Sequence, residues 1–234
     1  PLVPITSSGG AEIREGRAKQ TEVSRVLSEL GGDAETLLRI DRSVSTGLHQ
    51  AAIEIDASLL LLGWPGPGDI RARMVGATYG EIIAATSVPV AIAALHPGGG
   101  RGRVVLYAVG RELVPGNRPT MALALEVAST LCRVREQALI VGPGAPSDLQ
   151  DAGLAIKPTA EHRDGDEDLE AWVAAFTRPG DLLVVPIHDT SIGAAAIRVY
   201  GTGRSVLAVS QNPETSLGAV VSPMNLPVGR TLGT

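Results

Sequence analysis

Short apolar runs alternate with amphipathic stretches along most of this chain. Leu2-Val3-Pro4-Ile5 reads as the end of a strand, and Thr6 to Gly10 as a polar turn. From Ala11 to Leu30, the positions Ile13, Val23, Val26, Leu27 and Leu30 fall on one helical face, closed by Gly31-Gly32. Glu35 to Ile40 is a short strand. Leu48, Ala51, Ala52 and Ile55 then keep helical spacing over 44–56, with Asp41 or Ser43 as the cap. Leu59-Leu60-Leu61-Leu62 is an unbroken apolar run bounded by turn residues, the pattern of a strand buried on both faces. The glycine- and proline-rich segment Gly63 to Gly68 follows it. A helix over 72–86 then carries Met74, Val75, Thr78, Ile82 and Ile83, and a strand over 88–95 ends the half.

After Gly98-Gly99-Gly100, which reads as a linker, the alternation starts again. Strands are expected at 104–109, 138–141, 155–160, 182–187 and 206–210, and helices at 119–135, 169–176 and 191–200. Strand, helix, strand in repetition predicts an α/β fold with parallel sheets and helices on both faces. The halves align from their ends. Ser58-Leu-Leu-Leu-Leu answers Asp181-Leu-Leu-Val-Val, and Ser87-Val-Pro-Val-Ala answers Arg204-Ser-Val-Leu-Ala. The expectation is therefore two tandem, open, parallel-sheet (Rossmann-like) domains, residues 1–97 and 98–213, followed by a tail or arm over 214–234.

Composition narrows the function classes. At 44% hydrophobic and 19% charged the chain is globular, and at 3% aromatic its core must be aliphatic. The net charge is -5, divided evenly: 8 basic and 11 acidic residues in 1–98, then 12 and 14 in the remainder. No basic stripe exists to meet a phosphate backbone, so no nucleic-acid partner is expected. Cys132 alone cannot make an internal disulfide or a cysteine cluster, and it reads as a buried thiol. No apolar run reaches membrane-helix length and no signal peptide is visible. The start at Pro1, almost inside a strand, suggests a piece of a longer chain.

The chemistry concentrates after Leu62. Gly63-Trp64-Pro65-Gly66 is followed by nine residues and then Gly76-Ala77-Thr78. Small residues at a strand's carboxyl end let backbone approach an anion, and the following helix offers free N–H groups and a favourable dipole. Arg71 and Arg73 stand nearby in sequence, and Thr78 adds a hydroxyl. A plain turn that needs glycine for its geometry would leave the same trace. The spacing resembles the universal stress protein family, whose nucleotide-binding members carry Gly-x2-Gly-x9-Gly followed by Ser or Thr. The chain departs at Ala77, where the family has a hydroxyl, while Ser87-Val-Pro-Val resembles the family's closing segment. The resemblance implies binding of an adenine nucleotide (ATP, AMP or cyclic di-AMP), with or without Mg2+. The residues it would engage are Val3, Leu62, Gly63, Trp64, Pro65, Gly66, Gly76, Ala77 and Thr78. It also implies that Val3 lies on the family's second strand. The first strand, with the acidic residue that faces adenine, is then missing, and Leu217-Gly-Ala-Val-Val221 in the tail is a candidate substitute.

The second half has Pro186-Ile187-His188-Asp189-Thr190-Ser191 in place of the glycine loop, so its site reads as degenerate. His188, Asp189 and Ser191 contain the ingredients of a hydrolytic triad, but sequence neighbours rarely face one another, and Asp189 or Ser191 suits a helix cap better. Gly142-Pro-Gly144 lacks the third glycine of a dinucleotide fingerprint. The four histidines lack ligand spacing, and the acidic run from Glu161 to Glu170 reads as a solvated loop. With no activated nucleophile, an enzyme is not expected, and ATP hydrolysis would be slow or absent. Arg39-Ile-Asp41-Arg42-Ser43-Val and Leu-Leu-Gly63-Trp64 resemble the cytosolic C-terminal regions of bacterial cation/proton (Na+/H+) antiporters. That resemblance implies a regulatory domain at the inner face of the plasma membrane, joined to a membrane domain and forming a homodimer. A free-standing stress protein and a dimerisation module pairing through Val90–Ala94 or Val206–Val209 are the alternatives.

Overall fold

The computed structural model describes residues 1–5, 9–29, 34–64, 86, 88–97, 99–109, 115–144, 146–151, 154, 160–165, 168–188 and 190–211. In chain order these form β1 (Leu2–Ile5), α1 (Gly10–Glu29), β2 (Leu37–Ile40), α2 (Val44–Glu54), β3 (Leu60–Trp64), β4 (Val90–Ala94), β5 (Val104–Ala108), α3 (Arg118–Val134), β6 (Ile140–Pro143), α4 (Pro146–Asp151), β7 (Glu161–His162), α5 (Leu169–Phe176), β8 (Leu182–Pro186), α6 (Thr190–Gly201) and β9 (Ser205–Ser210). They divide into two compact units, Pro1–Ala57 with Thr78–Thr86, and Ser58–Ala77 with Ser87–Thr234.

The first unit holds a parallel pair, β1 with β2, in register from Leu2↔Leu37 to Ile5↔Ile40. The chain between them is α1, whose Ile13, Val23 and Leu27 are half-buried while Val26 stays exposed. Of the two candidate caps for α2, Ser43 is the one used: its Oγ accepts the Thr46 N–H at 3.1 Å. Asp41 instead accepts the Arg42 N–H and faces Arg39.

The second unit is built on a seven-stranded sheet ordered β3-β4-β9-β8-β5-β6-β7. Every neighbouring pair is parallel except β4 and β9, which run antiparallel from Val90↔Ser210 to Ala94↔Val206. The repeat predicts two separate sheets, and the structure differs: β3 and β4 of the first half share one sheet with the strands of the second. The physical reason lies in β4 and β9 themselves. Each is the last strand of its half and apolar on both faces, so each would leave an open, hydrophobic edge. Pairing covers both edges, and Val90, Ala91 and Val209 are all 0% exposed. The strands named above as dimer edges are therefore bonded to each other.

Alternate residues of the sheet feed two layers. Ala91, Val104, Leu106, Ala108, Val141, Leu182, Val184, Leu207 and Val209 join Met121, Ala124, Leu125, Ala128 and Cys132 of α3 in one core. The opposite face carries Tyr107 edge-on to Trp172 of α5, with Val199 of α6 also buried. Two elements depart from expectation. Residues 155–159, most of the weak strand expected there, lie outside the described residues; the strand observed is Glu161–His162, bonded through Glu161 N to Leu139 O and Arg163 N to Val141 O. The turn-rich stretch before it contains α4, opened by Pro146 at a helical position that needs no N–H.

At the amino-terminal ends of β5 and β8, Asp181 is buried and gathers four donors. Its Oδ1 accepts from Arg103 N (3.0 Å) and Nε (3.3 Å), and its Oδ2 from Arg103 Nη2 (2.7 Å) and Arg178 N (2.9 Å). Gly102 is obligatory beside it, since a Cβ there would lie 2.8 Å from both Asp181 Oδ1 and the Gly180 carbonyl.

Candidate functional site

Parallel pairing of β3 with β4 places Gly63 and Trp64 at the carboxyl end of the pair, opposite Ala93 and Ala94. In open α/β sheets this is the end at which ligands bind. Burial alternates along β3: Leu62 and Trp64 are 7% and 5% exposed, while Leu61 and Gly63 between them are exposed. Leu62 and Trp64 thus share a face with Ile92 and Ala94, and the Trp64 indole meets Tyr200 of α6 with ring centroids 5.1 Å apart.

Two features of this strand end are not explained by folding. Among the described residues a Cβ on Gly63 would meet nothing within 4 Å, and its backbone does not need the left-handed region. Glycine is therefore not required there by the described neighbours or by conformation, and its effect is to leave open space on the exposed face of the strand's end. The second feature is the Trp64 indole Nε1, which is buried with no hydrogen-bond acceptor among the described residues. A buried N–H without a partner forfeits roughly 1–3 kcal/mol of hydration, so such groups are rare unless something else supplies the acceptor.

The surrounding wall comes from far along the chain. His96, just beyond β4, stacks on Tyr200 at 4.3 Å, and its Nε2 hydrogen-bonds the Tyr200 carbonyl at 2.8 Å. The His96 N–H donates to the Ser205 hydroxyl at 3.2 Å, and Gly99 N closes the turn on His96 O at 2.8 Å. Gly100, at φ +74, packs over Ser205 in a conformation that favours glycine. Of the glycines that read as a linker, these two make a close turn over the start of β9, and Gly98 lies outside the described residues.

Of the residues expected at the site, Leu62, Gly63 and Trp64 are brought together on β3. Val3 is buried in β1, opposite Leu38, in the other unit. Pro65, Gly66, Gly76, Ala77 and Thr78 lie outside the described residues, as do Arg71, Arg73 and all but Thr86 of the helix expected over 72–86. Tyr200, His96 and Ser205 carried no sequence signal for this role; the antiparallel β4–β9 pairing brings them in.

The remaining candidates resolve into structural tasks. At the carboxyl ends of β5 and β8, Val109 and Ile187 are fully buried, and the Ile187 N–H donates to Val209 O at 2.8 Å. Ser191 lies inside the first turn of α6 and not at its cap, while Asp189 is outside the described residues. The acidic run is dispersed among separate partners. Asp168 caps α5 through Ala171 N at 2.9 Å, Glu161 pairs with Arg163, Glu170 with Arg198, and Asp164 accepts the Gly165 N–H. His162 is spent on the Gly144 carbonyl. Among the described residues no group of three His, Cys, Asp or Glu could hold a metal, and no helix is long and apolar enough to cross a membrane. Cys132 is buried on α3, and burial pushes its thiol pKa up.

Solved structures share this fold at low sequence identity. The cytoplasmic domain of a prokaryotic cation chloride cotransporter is 15% identical, covering 94% of this chain and 86% of that one, with a TM-score of 0.59. A functionally unknown protein of Pseudomonas aeruginosa PAO1 is 13% identical over 96% and 94%, TM-score 0.54. A Pseudomonas aeruginosa UCBPP-PA14 protein described as a universal stress protein is 11% identical over 95% and 94%, TM-score 0.53. No curated protein matches the chain in sequence. The span that holds β1 to β4 and the glycine loop, residues 3–94, matches the model of the Universal stress protein family.

Proposed function

We propose that this chain is a regulatory module that binds an adenine nucleotide at the end of β3 and belongs to the cytosolic part of a cation/proton antiporter. The observation that carries the reading is the open space that Gly63 leaves, among the described residues, on the exposed face of β3. It lies at the ligand-binding end of a parallel strand pair, inside the span matched by the family model. The Gly63 and Trp64 backbone, with Pro65, Gly66, Gly76 and Ala77 from the sequence motif, would hold the phosphates. When bound, the nucleotide supplies a signal and is not turned over.

Two further findings support the reading. The strand order of the second half, β7-β6-β5-β8-β9, is echoed by the pairs β1–β2 and β3–β4 of the first half, as an internal repeat lacking one strand would give. The fold likeness to a cotransporter's cytoplasmic domain favours a membrane transporter as the partner. Pairing of two copies belongs to the same proposal, and with β4 and β9 already bonded it would use another surface.

The test is a thermal-shift panel of ATP, AMP and cyclic di-AMP, with Gly63→Val as the control. A ligand at a hundredfold its Kd adds about 2.7 kcal/mol, or about 5–10 °C for a chain of this size. Valine at 63 suits a strand and meets no neighbour among the described residues, so the unliganded melting temperature should hold while the ligand shift disappears. Absence of any shift with all three nucleotides at millimolar concentration would overturn the reading.

A further inference from the structure

We infer that the end of the sheet where β5, β6, β8 and β9 begin is a surface that docks on anionic phospholipid headgroups. Folding gathers there six arginines that lie scattered from 101 to 204 in the sequence. Arg103 bonds Asp181, whose Oδ2 also accepts the Arg178 N–H, and the Gly102 N–H bonds the Gly180 carbonyl. Arg101 precedes Gly102 in the chain. Arg135 reaches the Gly102 carbonyl through Nη1 at 3.4 Å, and Arg133 stands on the last turn of α3 just before it. Arg204 donates from Nε to Thr177 Oγ1 at 2.6 Å, next to Arg178. Arg101, Arg133, Arg135 and Arg178 are exposed, and Arg103 and Arg204 are half-buried.

Three carboxylates belong to the same end. Asp181 is buried and held by Arg103, Glu161 faces Arg103 and pairs with Arg163, and Glu136 follows Arg135, exposed. Among the described residues this end is therefore positive, on a chain whose net charge is -5. A molecule polarised in that way turns its basic end to a negative surface. Val134 favours lipid over an acidic protein segment. It is 75% exposed, more than any other large apolar side chain among the described residues, and it stands between Arg133 and Arg135. A bilayer surface offers phosphate oxygens to the guanidinium forks and an acyl boundary to the valine, whereas a carboxylate-rich segment offers only the first kind of contact. The inference is independent of the nucleotide reading, which a vesicle experiment leaves untouched.

The experiment is co-sedimentation of the whole 234-residue chain with vesicles of phosphatidylcholine containing about one-third phosphatidylglycerol. The wild-type chain should sediment with them at about 0.05 M salt and be released at about 0.5 M, where charges are screened within a few ångströms. It should ignore vesicles of phosphatidylcholine alone. Each arginine near a charged bilayer strengthens binding about fivefold, so Arg101→Ala with Arg133→Ala should weaken it about twenty-five-fold. Both side chains are exposed, so the melting temperature should hold. Arg14→Ala with Arg17→Ala removes the same charge from α1, in the other unit, and should leave vesicle binding within about twofold of wild type. Failure of the wild-type chain to bind the anionic vesicles at low salt would overturn the inference. So would equal binding to phosphatidylcholine alone, wild-type binding by the Arg101 and Arg133 variant, or an equal loss in the α1 variant. Salt-sensitive binding to polyglutamate without binding to vesicles would assign the surface to an acidic protein instead, and the lipid reading would fall. The salt and lipid dependence is read on the wild-type chain, so it stands even where a variant is poorly folded.

Discussion

Replacing Asp181 by alanine is expected to lower folding stability by about 3 kcal/mol at neutral pH. The magnitude follows from what the carboxylate holds. Its side chain is 6% exposed, and it accepts two backbone N–H groups, of Arg103 and Arg178, as well as two guanidinium donors. Alanine leaves the backbone pair unsatisfied, at about 1–3 kcal/mol for each that water cannot reach. Breaking a buried ion pair from one side costs about 3–5 kcal/mol. The Arg103 side chain, however, is 33% exposed and keeps a bond to Phe176 O at 3.2 Å, so it rehydrates in part and the lower end applies. Asp181→Asn retains one carbonyl acceptor and should lose about half as much. The pH dependence has a definite sign. Burial pushes the Asp181 carboxyl up, but the bonds from Arg103 and Arg178 outweigh it and hold the group below the usual 3.8. A carboxylate lowered in the folded state adds stability above its unfolded value and loses it as pH falls through the folded one. Urea unfolding followed by circular dichroism reads both effects. With a slope of about 2–3 kcal/mol per molar, the alanine midpoint should fall by about 1 M at pH 7, and the gap from wild type should narrow on acidification below 3.8. A loss under about 1 kcal/mol at pH 7, against the usual cost of a broken buried pair, or a gap that does not narrow in acid, would refute the reasoning.

Gly102→Ala probes the same corner sterically. Its new methyl would lie 2.8 Å from a backbone carbonyl that cannot swing away, so a loss of about 1–3 kcal/mol is expected in the same urea assay. Because Asp181 Oδ1 is the other close atom, the loss should shrink in the Asp181→Ala background, and strict additivity would contradict the geometry. Cys132, buried and with its thiol pKa raised, should resist Ellman's reagent in the native chain and react fully in denaturing urea. Complete reaction within minutes under native conditions would show that the inner face of α3 opens.

How much of this was legible in the sequence depends on the range of the interaction responsible. The elements were legible because their causes are local. Leu59 to Leu62 announces a strand by composition, and Ser43 caps α2 through a residue three places on. Asp168 does the same for α5. The alternation of those elements was enough to predict a parallel α/β fold. The joining of β4 to β9 was not legible, because it brings together residues more than a hundred positions apart, and nothing in Val90–Ala94 distinguishes an edge strand from one awaiting a partner. The site follows the same division. Gly63 and Trp64 were singled out from spacing, whereas Tyr200, His96 and Ser205 come from that antiparallel pairing and have no motif.

The pairing also bears on why the Trp64 indole N–H is buried with no acceptor among the described residues. A tryptophan at the end of an edge strand would ordinarily turn its N–H to water. Here the antiparallel partner carries α6 over the same face, so that Tyr200 closes on the ring and the N–H is buried. On its other side β3 has no strand among the described residues, although β8, its counterpart in the second half, lies between β9 and β5. The second-half crevice between β5 and β8 is filled by Val109 and Ile187, both fully buried.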